Sequence, residues 1–277
     1  MNWLIAADSS CDLHTMETGA KDIVFHTVPF TVTLDHKEYR DTDDLDIPEM
    51  VDVMERSAVC RTACPSVGAW FELFERAEQT IALTISSRLS GSYSSAMVAR
   101  ELVLEAHPEK RIAVVASLST GPKLVLLAQR VLKMVQANEP FDSISTVCQE
   151  MSHSVRTLFT LSSFHNLVAN GRMNRATGFF AGKLGIRIIG EGSAEGTICL
   201  KDKERGDMKT LRRIVEIMAQ QSFMGGCVVI SHCLNAQLAE KLRALIAQRW
   251  PKCDIQILPT RGLDSFYAER NGLIICY

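Results

Sequence analysis

Short apolar runs recur along the first half of the chain, and each ends in small polar residues. Trp3-Leu4-Ile5-Ala6-Ala7 leads into Asp8-Ser9-Ser10-Cys11-Asp12. Ile81-Ala82-Leu83-Thr84-Ile85 leads into a crowd of hydroxyls: Ser86, Ser87, Ser90, Ser92, Ser94 and Ser95, with Gly91 among them. The run at 111–116 leads into Ser117-Leu118-Ser119-Thr120-Gly121. Uninterrupted apolar runs of this length predict buried strands. Helical stripes lie between them: Trp70, Phe71 and Phe74; then Ala96, Ala99, Leu102, Val103 and Ala106; then Leu124, Leu127, Ala128, Val131 and Val135. Strand alternating with helix predicts a parallel sheet whose polar loops gather at one edge, the edge at which open α/β sheets bind ligands.

Other segments are less regular. Residues 24–34 mix apolar positions with His26, Pro29 and alternating Thr, which suits an exposed or edge strand. Pro48 predicts the first turn of a helix carrying Met50, Val51, Val53 and Met54. Past the turn signal Asn138-Glu139-Pro140 the texture changes. A helix at 143–155 and a short strand at 157–161 are followed by a basic turn, Asn170-Gly171-Arg172-Met173-Asn174-Arg175, and an apolar run at 179–184. A half-exposed strand at 186–189 turns through 190–196 into a second at 197–200. Helices are then expected around Leu211, Ile214, Val215 and Met218 and around Leu238, Leu242, Leu245 and Ile246. Strands are expected at 227–230, 255–258 and 273–276. This mixture suits an α+β arrangement with a mixed sheet.

The hydroxyl loops are the candidate chemistry. A loop between strand and helix presents unpaired N–H groups and the positive end of the helix dipole, which favour a carboxylate or phosphate. A plain helix cap needs one Ser; this loop has six. Composition narrows the alternatives. The 277 residues carry a net charge of −2, with 47% apolar and 22% charged, so a packed globular chain is expected and no basic excess points to nucleic acid. Nine cysteines, an odd number without a C-x-x-C pair, suggest reduced thiols and a cytoplasmic location. The first apolar run lacks a basic start and a cleavage site, and no run has membrane-spanning length. No Walker loop, G-x-G-x-x-G or metal-ligand spacing occurs, so no cofactor and no metal are expected. His232 falls at a sheet edge without a partner spacing.

Several motifs together resemble the DegV family, a group of bacterial fatty-acid-binding proteins. Asp8-Ser9 is similar to its N-terminal D-S signature. Thr62-Ala63-Cys64-Pro65-Ser66 resembles its T-S-Q-P-S loop. Ser86-Ser87-Arg88-Leu89-Ser90-Gly91-Ser92-Tyr93-Ser94-Ser95-Ala96 resembles S-S-x-L-S-G-T-Y-x-S-A, the most specific piece. Asn170-Gly171-Arg172-Met173 is similar to its G-G-R-I turn, and Arg205-Gly206 to the R-G after its hairpin. The resemblance spans essentially the whole chain. It implies a two-domain α/β fold. Residues 1–152 would form a three-layer α/β/α domain on a parallel sheet. Residues 153–277 would form a two-layer α+β domain with a mixed sheet. A long-chain fatty acid would lie between them, in an apolar tunnel.

By the same resemblance, Thr62 and Ser90 hold the carboxylate, with Gly91, Ser92, Ser87 and Ser66 as further ligand-binding candidates. Arg172 and Arg205 serve docking of a fatty acid kinase or phosphate handling. The resemblance breaks near the C-terminus, where the family's T-H-x-G-P-G-type loop carries a His near the head group. Here the chain reads Thr260-Arg261-Gly262-Leu263-Asp264-Ser265-Phe266-Tyr267, and counting back from Gly272 puts Ser265 at that place. Ile188 likewise stands where the family has a proline. Non-catalytic fatty-acid binding is therefore the first expectation, and a carrier presenting the acid to a separate kinase the second. A serine hydrolase is the third; Ser90 would need an oriented base, and the motif is not the G-x-S-x-G elbow.

Overall fold

The computed structural model describes residues 2–174 and 185–277. Arg175 of the expected basic turn and the apolar run at 179–184 lie outside them. Four parallel strands form the first sheet: β1 (Trp3–Asp8), β2 (Ile23–Val28), β6 (Gln79–Thr84) and β7 (Arg111–Ala116), in the order β2-β1-β6-β7. Its side chains alternate between two cores. Ile5, Ala7, Ile81, Leu83 and Val115 pack against α4 (Pro122–Gln136) and α5 (Phe141–Ser154). Leu4, Ala6, Ala82, Ile112 and Val114 face α2 (Val67–Phe74) and α3 (Ser92–Ala106). This is the expected three-layer arrangement around a parallel sheet.

A second sheet has the order β10-β9-β8-β13-β11-β12 and is mixed. Its strands are β8 (Thr157–Leu161), β9 (Ile186–Gly192), β10 (Ile198–Arg205), β11 (Cys227–His232), β12 (Asp254–Pro259) and β13 (Leu273–Cys276). Only β11 and β12 run parallel. One face is covered by α7 (Asp207–Gln220) and α8 (Ala236–Arg249). The helix α4 lies between the two sheets, sharing a core with Val229 and Cys276 as well as with β1 and β6. That explains why Leu124, Val125, Leu127, Ala128 and Val131 are all buried, while Arg130, Lys133 and Gln136 alone of the helix are exposed.

Several expectations are corrected. Residues 24–34 are two strands, broken at Pro29, and the second leaves the parallel sheet. As β3 (Thr31–Leu34) it joins β4 (Lys37–Arg40) and β5 (Cys60–Ala63) in a small antiparallel sheet of order β4-β3-β5. Strand β10 continues to Arg205, well past residue 200. Strand β9 is buried from Arg187 to Gly190, because Arg187 satisfies its charge inside: Nε donates to Asp207 Oδ1 at 2.7 Å and the Nη atoms to Asn271 O. Leu102 is exposed, since the buried stripe of α3 is Ala96, Ala99 and Val103. The expected helix with Met50, Val51 and Met54 buried is α1 (Ile47–Met54). Two short helices were not predicted, α6 (His165–Ala169) and α9 (Gly262–Ala268). No described helix is long and apolar enough to cross a membrane.

Candidate functional site

The serine-rich loop is held by its own hydroxyls and by Asp8. Ile85 N donates to Asp8 Oδ2 at 3.0 Å, and Ser92 Oγ donates to the same oxygen at 2.6 Å. Both ends of the loop are thus tied to one carboxylate at the end of β1. Ser10 N and Ser10 Oγ occupy the other oxygen at 3.2 and 2.5 Å. Ser86 Oγ donates to Gly196 O at 2.6 Å, which docks the β9–β10 hairpin on the loop. Gly196 has φ +80°, and a Cβ there would run into Ser86 Oγ and Leu118. The hydroxyl crowd therefore divides. Ser86 and Ser92 are buried and structural, Ser87 and Ser94 are exposed, and Ser90 is left at the edge of a cleft.

The helix α9 is anchored by residues far away in sequence. Its N–H groups at Gly262 and Leu263 donate to the Asp41 carboxylate at 2.8 and 2.9 Å, a side-chain cap of the kind helix N-termini need. Ser9 Oγ donates to the same carboxylate at 2.8 Å. Arg261, fully buried, donates from Nη2 to Asp41 O and from Nη1 to Leu13 O and Thr27 Oγ1. Asp12 Oδ1 accepts from Arg261 N at 2.9 Å. The remaining oxygen of Asp12 and that of Asp264 both lie against Gly121, where φ is +53° and a side chain would have no room. Two buried carboxyls this close cannot both ionise. Burial pushes Asp12 up to about 7, with the Asp41 charge adding to it, and burial together with the Asp12 and Asp41 charges holds Asp264 well above the ordinary carboxylate range. Asp8 and Asp41 are also raised, first by burial.

Between these two anchored pieces runs a narrow cleft. Its walls are apolar: Phe30, Ile85, Leu89, Phe159, Leu161 and Ile274 among them. They come from both sides of residue 152. Such a cleft with few convergent polar groups is the usual form of a small-molecule site. Thr62, Ser90, Arg172 and Tyr267 meet on its lining. Thr62 Oγ1 lies 2.9 Å from the Tyr267 hydroxyl. Ser90 Oγ accepts from Ser92 N at 3.3 Å. Arg172 donates from Nε to Leu89 O at 3.1 Å and from Nη1 to Asn170 O at 2.6 Å, and its guanidinium stands 5.8 Å from the centre of the Tyr267 ring. A second polar group, Ser119, Thr120, Thr157 and Asp264, also lines the cleft but is paired internally. Ser119 and Thr157 hydroxyls are 2.8 Å apart, and Thr120 Oγ1 donates to Asp264 Oδ1 at 2.5 Å.

Of the residues singled out in the sequence, the structure brings Thr62, Ser90 and Arg172 to one cleft. Thr62 sits on strand β5, not in a loop. Ser66 is exposed and caps α2, accepting from Ala69 N at 3.2 Å. Ser87 and Gly91 are exposed off the cleft lining, and Ser92 is spent on Asp8. Arg205 is exposed at the end of β10, away from the cleft lining. Ser265 is buried and turned to the Thr260 loop, with its hydroxyl 2.7 Å from Thr260 Oγ1. Residues two apart on a helix point to opposite sides, so α9 presents Tyr267 to the cleft where the count had placed Ser265.

Fold and site define a class of protein. A parallel α/β sheet and a mixed sheet share an apolar cleft whose polar groups are hydroxyls, one arginine and the Asp264 carboxyl. The chain belongs to the DegV family, whose model matches residues 2–273. A DegV domain-containing protein of Streptococcus gordonii is 36% identical over 100% of this chain and 99% of its own length. Among solved structures, the Streptococcus pneumoniae Fatty Acid Kinase (Fak) B3 protein loaded with linoleic acid is similar with a TM-score of 0.97 and 34% identity, covering 100% of this chain and 99% of that one. A DegV family protein from Eubacterium eligens loaded with heptadecanoic acid is similar with a TM-score of 0.94 and 34% identity, covering 99% and 98%.

The raised acids give stability a direction with pH. The folded state keeps protons that the unfolded chain releases above about pH 4, so stability falls as pH rises through about 7. His26 and His232, both lowered by burial, act in the opposite sense below about pH 6.5. Comparison with a variant isolates the carboxyl pair. Asp264→Asn keeps a donor toward Asp12, and its thermal midpoint is expected to exceed that of the wild type by several degrees at about pH 8 and to match it more closely at about pH 5. A variant less stable than the wild type at the higher pH contradicts the assignment.

Proposed function

We propose that the protein binds a long-chain fatty acid without transforming it. On a division of the chain into residues 1–152 and 153–277, the acyl chain lies between the two parts. The carboxylate is held by the Thr62 and Ser90 hydroxyls. The observation that carries this reading is their meeting on one apolar cleft, although they stand on a strand and a loop of different sheets. A carboxylate removed from water needs several donors, and each charge-assisted hydrogen bond contributes about 1.5–3 kcal/mol. Each methylene withdrawn into the cleft adds about 0.8 kcal/mol. A long acyl chain therefore binds tightly with no reactive residue involved. The fatty acids held by the similar structures named above support the same reading.

The test is native mass spectrometry and lipid extraction of the purified protein. Wild-type protein is expected to carry an acyl chain. Thr62→Ala and Ser90→Ala are each expected to weaken binding of added fatty acid about tenfold or more. Protein that carries and binds no fatty acid refutes the proposal.

Arg172 favours a second reading, in which the protein presents its fatty acid to a separate kinase. Its guanidinium stands on the cleft lining beside Tyr267, and one similar structure is named as a fatty acid kinase protein. Arginine suits phosphate recognition. With a fatty acid kinase catalytic subunit, Arg172→Ala is expected to reduce acyl-phosphate formation while lipid occupancy stays unchanged. A parallel loss of both would count against a role in phosphate transfer.

A further inference from the structure

The Tyr267 phenol stands on the cleft lining beside Thr62 and belongs to none of the hydroxyl loops. The Tyr267 phenol reaches from α9 to within 2.9 Å of Thr62 Oγ1, and both residues line the cleft. Resting on the fatty-acid reading above, we infer that Tyr267 is a carboxylate-binding residue, donating its phenolic hydrogen to the bound head group together with Thr62 and Ser90.

The argument is one of counting donors. Thr62 and Tyr267 bond to each other, which uses one of their two hydroxyl hydrogens. A carboxylate only accepts. Once its oxygens lie beside this pair, both hydrogens turn to the ligand, and Ser90 supplies a third. Ser90 Oγ already accepts from Ser92 N, so its own hydrogen is available to donate. The phenol is held in place beforehand. Its ring packs edge-on against Phe266 with centroids 4.8 Å apart, and the Arg172 guanidinium lies over it. Burial raises its ionisation further above neutrality, so it stays a donor across the physiological range. A ring anchored this way loses little freedom on binding. The same geometry sets a preference among ligands with one tail: a carboxylate gains charge-assisted bonds from all three hydroxyls, whereas a fatty alcohol gains neutral ones.

Tyr267→Phe removes the hydroxyl and keeps the ring. Binding of stearic acid and of octadecanol is measured on the full chain. Stearic acid is expected to weaken about tenfold or more, and octadecanol by much less. Unchanged affinity for stearic acid, or an equal loss for both ligands, overturns the role of Tyr267 and leaves Thr62 and Ser90 standing. Wild-type protein that binds no stearic acid refutes the underlying fatty-acid reading instead. A measurement without substitution guards against a variant that fails to fold. In wild-type protein labelled with fluorotyrosine, stearic acid is expected to shift the resonance of the cleft tyrosine more than octadecanol does, and equal shifts overturn the inference.

Discussion

One buried carboxylate sets the geometry on which the cleft depends. Asp8 stands at the end of β1 with no exposure, and it accepts from Ile85 N, Ser92 Oγ and both donors of Ser10. The loop between Ile85 and Ser92 cannot drift while both of its ends are bound to the same group. Ser90 is carried on that loop, so its position is decided by an acid it never touches. A buried carboxylate is expensive to desolvate, and its bonds offset that cost without large net gain. What it contributes is a single geometry in place of many.

The opposite wall is built the same way. Asp41 caps α9, Arg261 fills the space beneath it, and Asp12 with Asp264 closes the contact over Gly121. Both walls thus converge on the end of β1 and the short segment after it, where Asp8 accepts from Ile85 N, Ser9 donates to Asp41, Ser10 O accepts from Gly121 N and Asp12 accepts from Arg261 N. The cleft between the walls is lined mostly by apolar side chains, and Thr62, Ser90 and Tyr267 bring their hydroxyls to its lining.

Much of this architecture was legible along the chain. The parallel strands announced themselves as unbroken apolar runs and α4 as a single apolar stripe, which did not show that the helix packs against both sheets. The small antiparallel sheet did not, because β3, β4 and β5 have four residues each and mix Thr, Lys and Arg with few apolar positions. Nor did α9: nearly every residue in it is buried, so no stripe distinguishes it, and its cap comes from Asp41, far upstream. Missing that helix is why counting along a supposed loop arrived at Ser265 and passed over Tyr267. The serine crowd was visible at once, but its division into anchors, surface and cleft depends on where Asp8 lies. That is a long-range fact with no local signature.

The central claim is that these anchored walls bring three hydroxyls to the lining of one apolar cleft, where they hold a carboxylate. A crystal structure of the protein purified with its lipid tests this most directly. The account predicts density for an acyl chain running past Phe159 and Ile274, with its carboxylate within hydrogen-bonding distance of Thr62 Oγ1 and Ser90 Oγ and with the Asp8 bonds intact. A head group seated elsewhere, or lipid bound outside a closed cleft, would contradict it.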